Sequence, residues 1–111
     1  MRIYIAAGHG GNDVGAVANN TNERDEVEKI VNEICPRLQK LLEGKADIMQ
    51  VPNNLTVDLT AENINSNDAG YTDSFCIEIH LNSNKFIPGS GTETYFGNKS
   101  MAISIQKKLV E

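Results

Sequence analysis

The chain has 111 residues, 40% of them hydrophobic, and carries 10 basic against 15 acidic side chains for a formal net charge of −5. That length suits one domain with a real core and is too short for two, and a composition free of low-complexity runs excludes disorder. An acidic surface gains nothing from a polyanion, so nucleic-acid binding and anionic-membrane insertion are set aside, and no stretch approaches the roughly 18 apolar residues of a membrane span.

Residues 2–7 read as a short apolar strand. No cleavable apolar leader precedes Arg2, so synthesis in the cytoplasm without a signal peptide is expected. A glycine-rich turn follows, with Gly8, Gly10, Gly11 and Gly15. Asn19-Asn20-Thr21-Asn22 reads as a loop ending in good helix-capping residues. From Glu23 to Glu43 the apolar positions Val27, Ile30, Val31, Ile34, Leu38, Leu41 and Leu42 recur at helical spacing. Pro36 lies inside that run and predicts a kink or a locally broken hydrogen bond around residues 32–36, and Gly44 stops the helix. Ala46 to Val51 reads as a second strand closed by Pro52. Residues 56–69 read as a weak, asparagine-rich helix with Leu55, Leu59, Ile64 and Ala69 inward. Phe75 to His80 is nearly continuous in apolar character, which predicts a central strand. Pro88-Gly89-Ser90-Gly91 reads as a loop, Thr92 to Phe96 as a β-branched and aromatic strand, and Ser100 to Val110 as an amphipathic helix with Met101, Ile105 and Leu109 on one stripe. The order β-α-β-α-β-β-α predicts an α/β fold with a single, mostly parallel (mixed) sheet flanked by helices. Cys35 and Cys76 lack metal-type spacing. They read as two free core thiols, with a disulfide or a catalytic thiol as the alternatives.

The two histidines of the chain each sit where a strand pattern runs out. His9 follows Ile3-Tyr4-Ile5-Ala6-Ala7-Gly8, and His80 follows Phe75-Cys76-Ile77-Glu78-Ile79. Open α/β sheets place their chemistry beyond the carboxyl ends of their strands, and imidazole is the commonest protein metal ligand. Helix geometry supplies a third candidate. With Val27 as origin and an advance of about 100° per residue, Glu23 falls about 40° away, inside the apolar stripe, and Glu26 about 100° away, at its edge. An inward carboxylate needs a partner. Helix-terminal amides are one possibility. The other is a His/Glu/His set with a fourth position open to water, the arrangement of a catalytic zinc site.

Four segments then occur in order: Gly8-His9-Gly10-Gly11-Asn12-Asp13-Val14-Gly15-Ala16, Glu23-Arg24-Asp25, Ile79-His80-Leu81-Asn82-Ser83 and Gly91-Thr92-Glu93-Thr94-Tyr95-Phe96. Together they resemble the zinc-dependent N-acetylmuramoyl-L-alanine amidase family (amidase type 3). The Glu78-Ile79-His80-Leu81-Asn82 variant is similar to its phage endolysin branch. The resemblance implies a cell-wall-degrading hydrolase with Zn2+ held by His9, Glu23 and His80. Its substrate is peptidoglycan, cut at the amide between the lactyl group of N-acetylmuramic acid and L-alanine. It also implies action at the cell wall after release or delivery, as for a phage or prophage lysin.

In that family a glutamate on a late strand moves the proton, and no residue here matches it. Leu109-Val110-Glu111 ends a helical stripe and is rejected. The resemblance therefore implies that residues 1–111 form one amidase-like catalytic domain lacking the C-terminal strand and helix, with a further domain or chain supplying the glutamate and wall binding. Glu78 shares a strand face with His80, so it reads as a substitute base or as a carboxylate orienting that ligand. Glu93 has a base, a substrate-binding or a structural role open to it, and Asn82 either binds substrate or forms the turn. Two rivals stand beside the hydrolase. One is a catalytically impaired peptidoglycan-binding or structural remnant of the fold. The other is a nucleotide-binding module suggested by Gly8-x-Gly10, weakened because Asp13 occupies the third glycine's place.

Overall fold

The computed structural model describes residues 1–82, 91–95 and 97–111. Its elements are β1 (Arg2–Ala7), β2 (Val17–Ala18), β3 (Thr21–Asn22), α1 (Glu23–Leu41), β4 (Asp47–Gln50), α2 (Val57–Asn67), β5 (Ser74–Ile79) and α3 (Lys99–Leu109). The main sheet has the order β4-β1-β5, and both pairings are parallel. The expected mostly parallel α/β architecture is thus present, with the antiparallel β2-β3 pair as a separate small sheet.

Side-chain alternation along β1 builds two cores. Ile3, Ile5 and Ala7 pack with Val27, Val31 and Cys35 of α1 and with Ile48. Tyr4 and Ala6 point the other way and pack with Val51, Leu55 and Ile64, where α2 covers the sheet. Helix α1 starts at Asn22, whose side chain accepts the Asp25 N–H at 2.9 Å, a cap that satisfies one otherwise orphaned donor. Among the described residues no helix is long and apolar enough to cross a membrane.

Several expectations are corrected. β1, not β5, is the central strand: Ile3 to Ala7 are all buried, whereas β5 alternates between half-buried and exposed residues. Cys76 lies on the exposed side of β5, so of the two free thiols only Cys35 belongs to a core. Residues 19–22 are not simply a loop. Asn19 and Asn20 adopt φ of 52° and 61° and turn β2 into β3, a left-handed pair that asparagine tolerates and tight hairpins require. Helix α1 runs through Pro36 as one helix, with the locally broken hydrogen bond expected there, since proline has no N–H for the Asn32 carbonyl. Pro36 and Asn32 are both exposed, so water can reach the Asn32 carbonyl that loses its partner. Thr60 takes the inward position expected of Leu59, which is exposed along with Ala69 and Leu109. Thr92 to Tyr95 form no strand. The Thr92 carbonyl and the Thr94 hydroxyl are engaged by the Gln106 side chain of α3 instead of by a neighbouring strand. Phe96 and the loop positions 88–90 lie outside the described residues.

Val27 is 0% exposed, between the sheet and its own helix, and Ile103 is 59% exposed on α3. Val27→Ala is expected to lower stability by about 2 kcal/mol through lost burial and a residual cavity. Ile103→Ala is expected to stay within about 0.5 kcal/mol. Urea unfolding checks both, as a shift of the midpoint at unchanged slope.

Candidate metal centre

Parallel pairing of β1 with β5 sets Ala7 beside Ile79. One further bond, Gly8 N–H to the Ile79 carbonyl at 2.8 Å, carries the alignment past the strand ends. His9 and His80 therefore leave the sheet side by side, their ring centroids 5.2 Å apart and their planes at 87°. The pairing is close enough that a Cβ on Gly8 would overlap the His80 ring.

Glu23 reaches the same point from the first turn of α1. The helix start is tied to the glycine loop by Glu23 N–H to Ala16 O at 2.8 Å and Arg24 N–H to Val14 O at 3.1 Å. The Arg24 guanidinium adds a bond to Gly11 O at 2.9 Å. Glu23 is 6% exposed. Its Oε2 accepts the Ala16 N–H at 3.1 Å and lies 3.1 Å from His9 Nε2. Its Oε1 accepts the Leu81 N–H at 2.8 Å and lies 3.0 Å from His80 Nδ1. Burial is the largest influence on this carboxyl and pushes its pKa up. The Ala16 and Leu81 amides, the His80 hydrogen bond and the charge of His9 together outweigh burial, so the net shift is downward and Glu23 stays ionised.

The outward nitrogens of both rings also meet carboxylates. His9 Nδ1 lies 2.8 Å from Asp13 Oδ2, and His80 Nε2 lies 2.5 Å from Glu78 Oε1. The Asp13 hydrogen bond is the chief cause holding the His9 pKa above the usual histidine value. In return, His9 and then the Gly15 amide hold the Asp13 carboxyl below its own usual value.

Among the described residues, His9, Glu23 and His80 form a cluster whose ligand atoms lie within 4.8 Å of one another. Two imidazole nitrogens and a carboxylate oxygen suit zinc. Three carboxylates around two imidazoles also leave local negative charge that a divalent cation would balance. The backbone is shaped to the cluster as well. Gly15 has φ +65°, and a Cβ there would come within 2.5 Å of His9 Cδ2 and 2.7 Å of Glu23 Oε2. The residues present therefore fit a zinc ion.

The three residues named from strand ends and helix geometry are thus brought together. Glu26 instead binds Thr21 and Lys29. Glu78 sits against His80. Asn82 is exposed, one residue beyond the Leu81 amide that binds Glu23. Glu93 is exposed and accepts the Tyr95 hydroxyl at 2.9 Å. Its carboxylate is not part of the cluster, and residues 83 and 84 lie outside the described residues. Asp13 escapes the sequence reading. Its one local signal is its place four residues after His9 in the glycine-rich turn, and that signal is visible only to a reader expecting the chain to fold back there.

Residues 3–111 match the family described as N-acetylmuramoyl-L-alanine amidase. The chain is 33% identical, over 115 aligned positions, to the uncharacterized protein YqiI of Bacillus subtilis (strain 168), covering 97% of this chain and 53% of that protein. It is 29% identical, over 114 aligned positions, to the N-acetylmuramoyl-L-alanine amidase LytC of the same organism, covering 96% of this chain and 22% of LytC. The chain therefore spans about half the length of the first relative and less of the second. No solved structure matches it. With a family match that runs from β1 to the last residue and takes in all three residues of the cluster, the chain belongs to the N-acetylmuramoyl-L-alanine amidase family.

Proposed function

We propose that this protein is a zinc-dependent hydrolase of the amide between N-acetylmuramic acid and L-alanine in peptidoglycan, serving cell-wall lysis or remodelling in the manner of an endolysin. The observation that carries this reading is the convergence of His9 Nε2, Glu23 and His80 Nδ1, each oriented by its own hydrogen bonds, at the carboxyl edge of the sheet. These three residues would hold the zinc. Zinc, when bound, supplies Lewis acidity toward the scissile carbonyl and activates water for attack. Glu23 contributes its negative charge, fixed by the Ala16 and Leu81 amides. Glu78 orients His80 by accepting its Nε2–H, which favours that role over the substitute base. Asn82, next to Leu81 at the rim, and Glu93 are left as substrate-contact candidates. Residues 1–111 serve in this reading as one amidase-like domain.

A second reading is a peptidoglycan-binding protein of the same fold with impaired turnover. The engagement of Glu78 by His80 favours it, because a carboxylate so held is poorly free to carry a proton to the leaving amine. A general base is worth about 10²–10⁴-fold in rate.

Purified 111-residue chain incubated with peptidoglycan separates the two. The amidase reading expects new L-alanine amino termini without new reducing sugars, abolished by chelation and by His80→Ala. Zinc binding without amine release selects the second reading. Elemental analysis is expected to find one zinc per chain and less than a tenth of that in Glu23→Ala, and a zinc-free wild-type protein would sink both.

Acid should also release the metal, with a sign that follows from the ligands. A protonated ring cannot ligate, and His9 titrates above the ordinary histidine value, whereas Glu23 stays ionised to below the ordinary carboxylate value. Zinc affinity is therefore full above the raised His9 pKa. It falls at least about tenfold per pH unit below it, since one proton displaces the metal there. Titrations against a chromophoric chelator across neutral pH check this, and a release edge confined to the carboxylate range would contradict it.

A further inference from the structure

Asp13 is placed by its own turn. Its N–H donates to Gly10 O at 3.0 Å, and its carboxylate is forked between two partners. Oδ1 accepts the Gly15 N–H at 3.1 Å, and Oδ2 faces His9 Nδ1 at 2.8 Å. Gly15, at φ +65°, lies against the His9 ring, so one turn holds the ring, the carboxylate and the amide that aims the carboxylate. On the other side of the ring, Nε2 faces Glu23 Oε2 at 3.1 Å.

A neutral imidazole carries one proton, and the nitrogen that keeps it has no lone pair to offer. Asp13 and Glu23 compete for that proton. Both Glu23 oxygens already accept backbone N–H groups, from Ala16 and from Leu81, and its contact with His9 is the longer of the two. We propose that Asp13 is a positioning residue that fixes His9 as the Nδ1–H tautomer, keeping the Nε2 lone pair turned toward Glu23 and His80. Its consequence for metal binding rests on the zinc reading above, but the tautomer itself does not.

The Gly15 amide makes the idea testable by a change of one atom. In Asp13→Asn the side-chain oxygen must take the Gly15 N–H, since an NH2 placed there would face another donor. The NH2 is then turned to His9 Nδ1, which must accept. The imidazole proton leaves Nδ1, is exchanged through solvent and resides on Nε2, where it opposes ligation. Asp13→Ala removes both arms of the fork and leaves the ring free to choose. A merely structural Asp13 predicts the reverse order of severity, because asparagine preserves the turn and alanine does not.

The experiment is nitrogen-15 NMR of the histidine rings in the metal-free chain, at alkaline pH where they are neutral, paired with zinc titration against a chromophoric chelator. The wild type is expected as Nδ1–H at His9 and Asp13→Asn as Nε2–H. Zinc affinity is expected to fall about tenfold in Asp13→Ala and nearer 100-fold in Asp13→Asn, the span usual for partners of metal-bound histidines. Thermal melting of the metal-free proteins should nevertheless leave Asp13→Asn closer to wild type than Asp13→Ala. A wild-type His9 in the Nε2–H form overturns the proposal, as does an Asn variant that binds zinc as tightly as the Ala variant or tighter. Wild-type protein with the expected tautomer but no zinc affinity would overturn the metal reading and leave the positioning role of Asp13 standing.

Discussion

The buried carboxylate of Glu23 is the group around which this molecule is organised. Removing an ion from water costs several kcal/mol unless it is compensated on every side, and the compensation comes from two parts of the chain other than its own helix. The glycine loop supplies the Ala16 amide and the His9 ring, and the turn after β5 supplies the Leu81 amide and the His80 ring. The helix that carries Glu23 is packed on the sheet through Val27 and Val31. Loss of any one of these contacts would leave a buried charge short of a partner, so the carboxylate couples the positions of all three segments.

The sheet makes that meeting possible at low conformational cost. Parallel neighbours start and end together, and the Gly8 to Ile79 bond extends the register by one residue. Two histidines that are 71 positions apart in sequence (80 less 9) are thereby delivered to one edge by backbone hydrogen bonding alone. Glycine at positions 8 and 15 is the steric condition for this, because a side chain at either would occupy the space of a histidine ring.

The site is asymmetric in a chemically informative way. His9 turns Nε2 inward and His80 turns Nδ1 inward, and each outward nitrogen is held by a different kind of carboxylate. Asp13 is fixed within a turn by the Gly15 amide, whereas Glu78 extends from the exposed side of a strand. The first arrangement is partly enclosed. The second is exposed on β5, in register with Ala6 and beyond the β1 and β4 residues that α2 packs against. Of the two rings, His9 is the better protected, 21% exposed against 47% for His80.

Much of this was readable from residue order, for reasons that are local. A carboxylate within about 40° of an apolar helical stripe must face inward, and histidines that end apolar strands of an α/β chain must share an edge. Those two statements were enough to name His9, Glu23 and His80. Strand order was not readable in the same way. β5 looks as apolar as a central strand, yet β1 is the one sandwiched between α1 and α2, because centrality depends on which faces other elements cover. Asp13 and the rotation of each imidazole belong to the same class. They follow from how the turn at Gly10 to Gly15 folds over the ring and from which nitrogen each carboxylate can reach. Such contacts depend on φ angles and packing in three dimensions, and residue order alone carries no record of them.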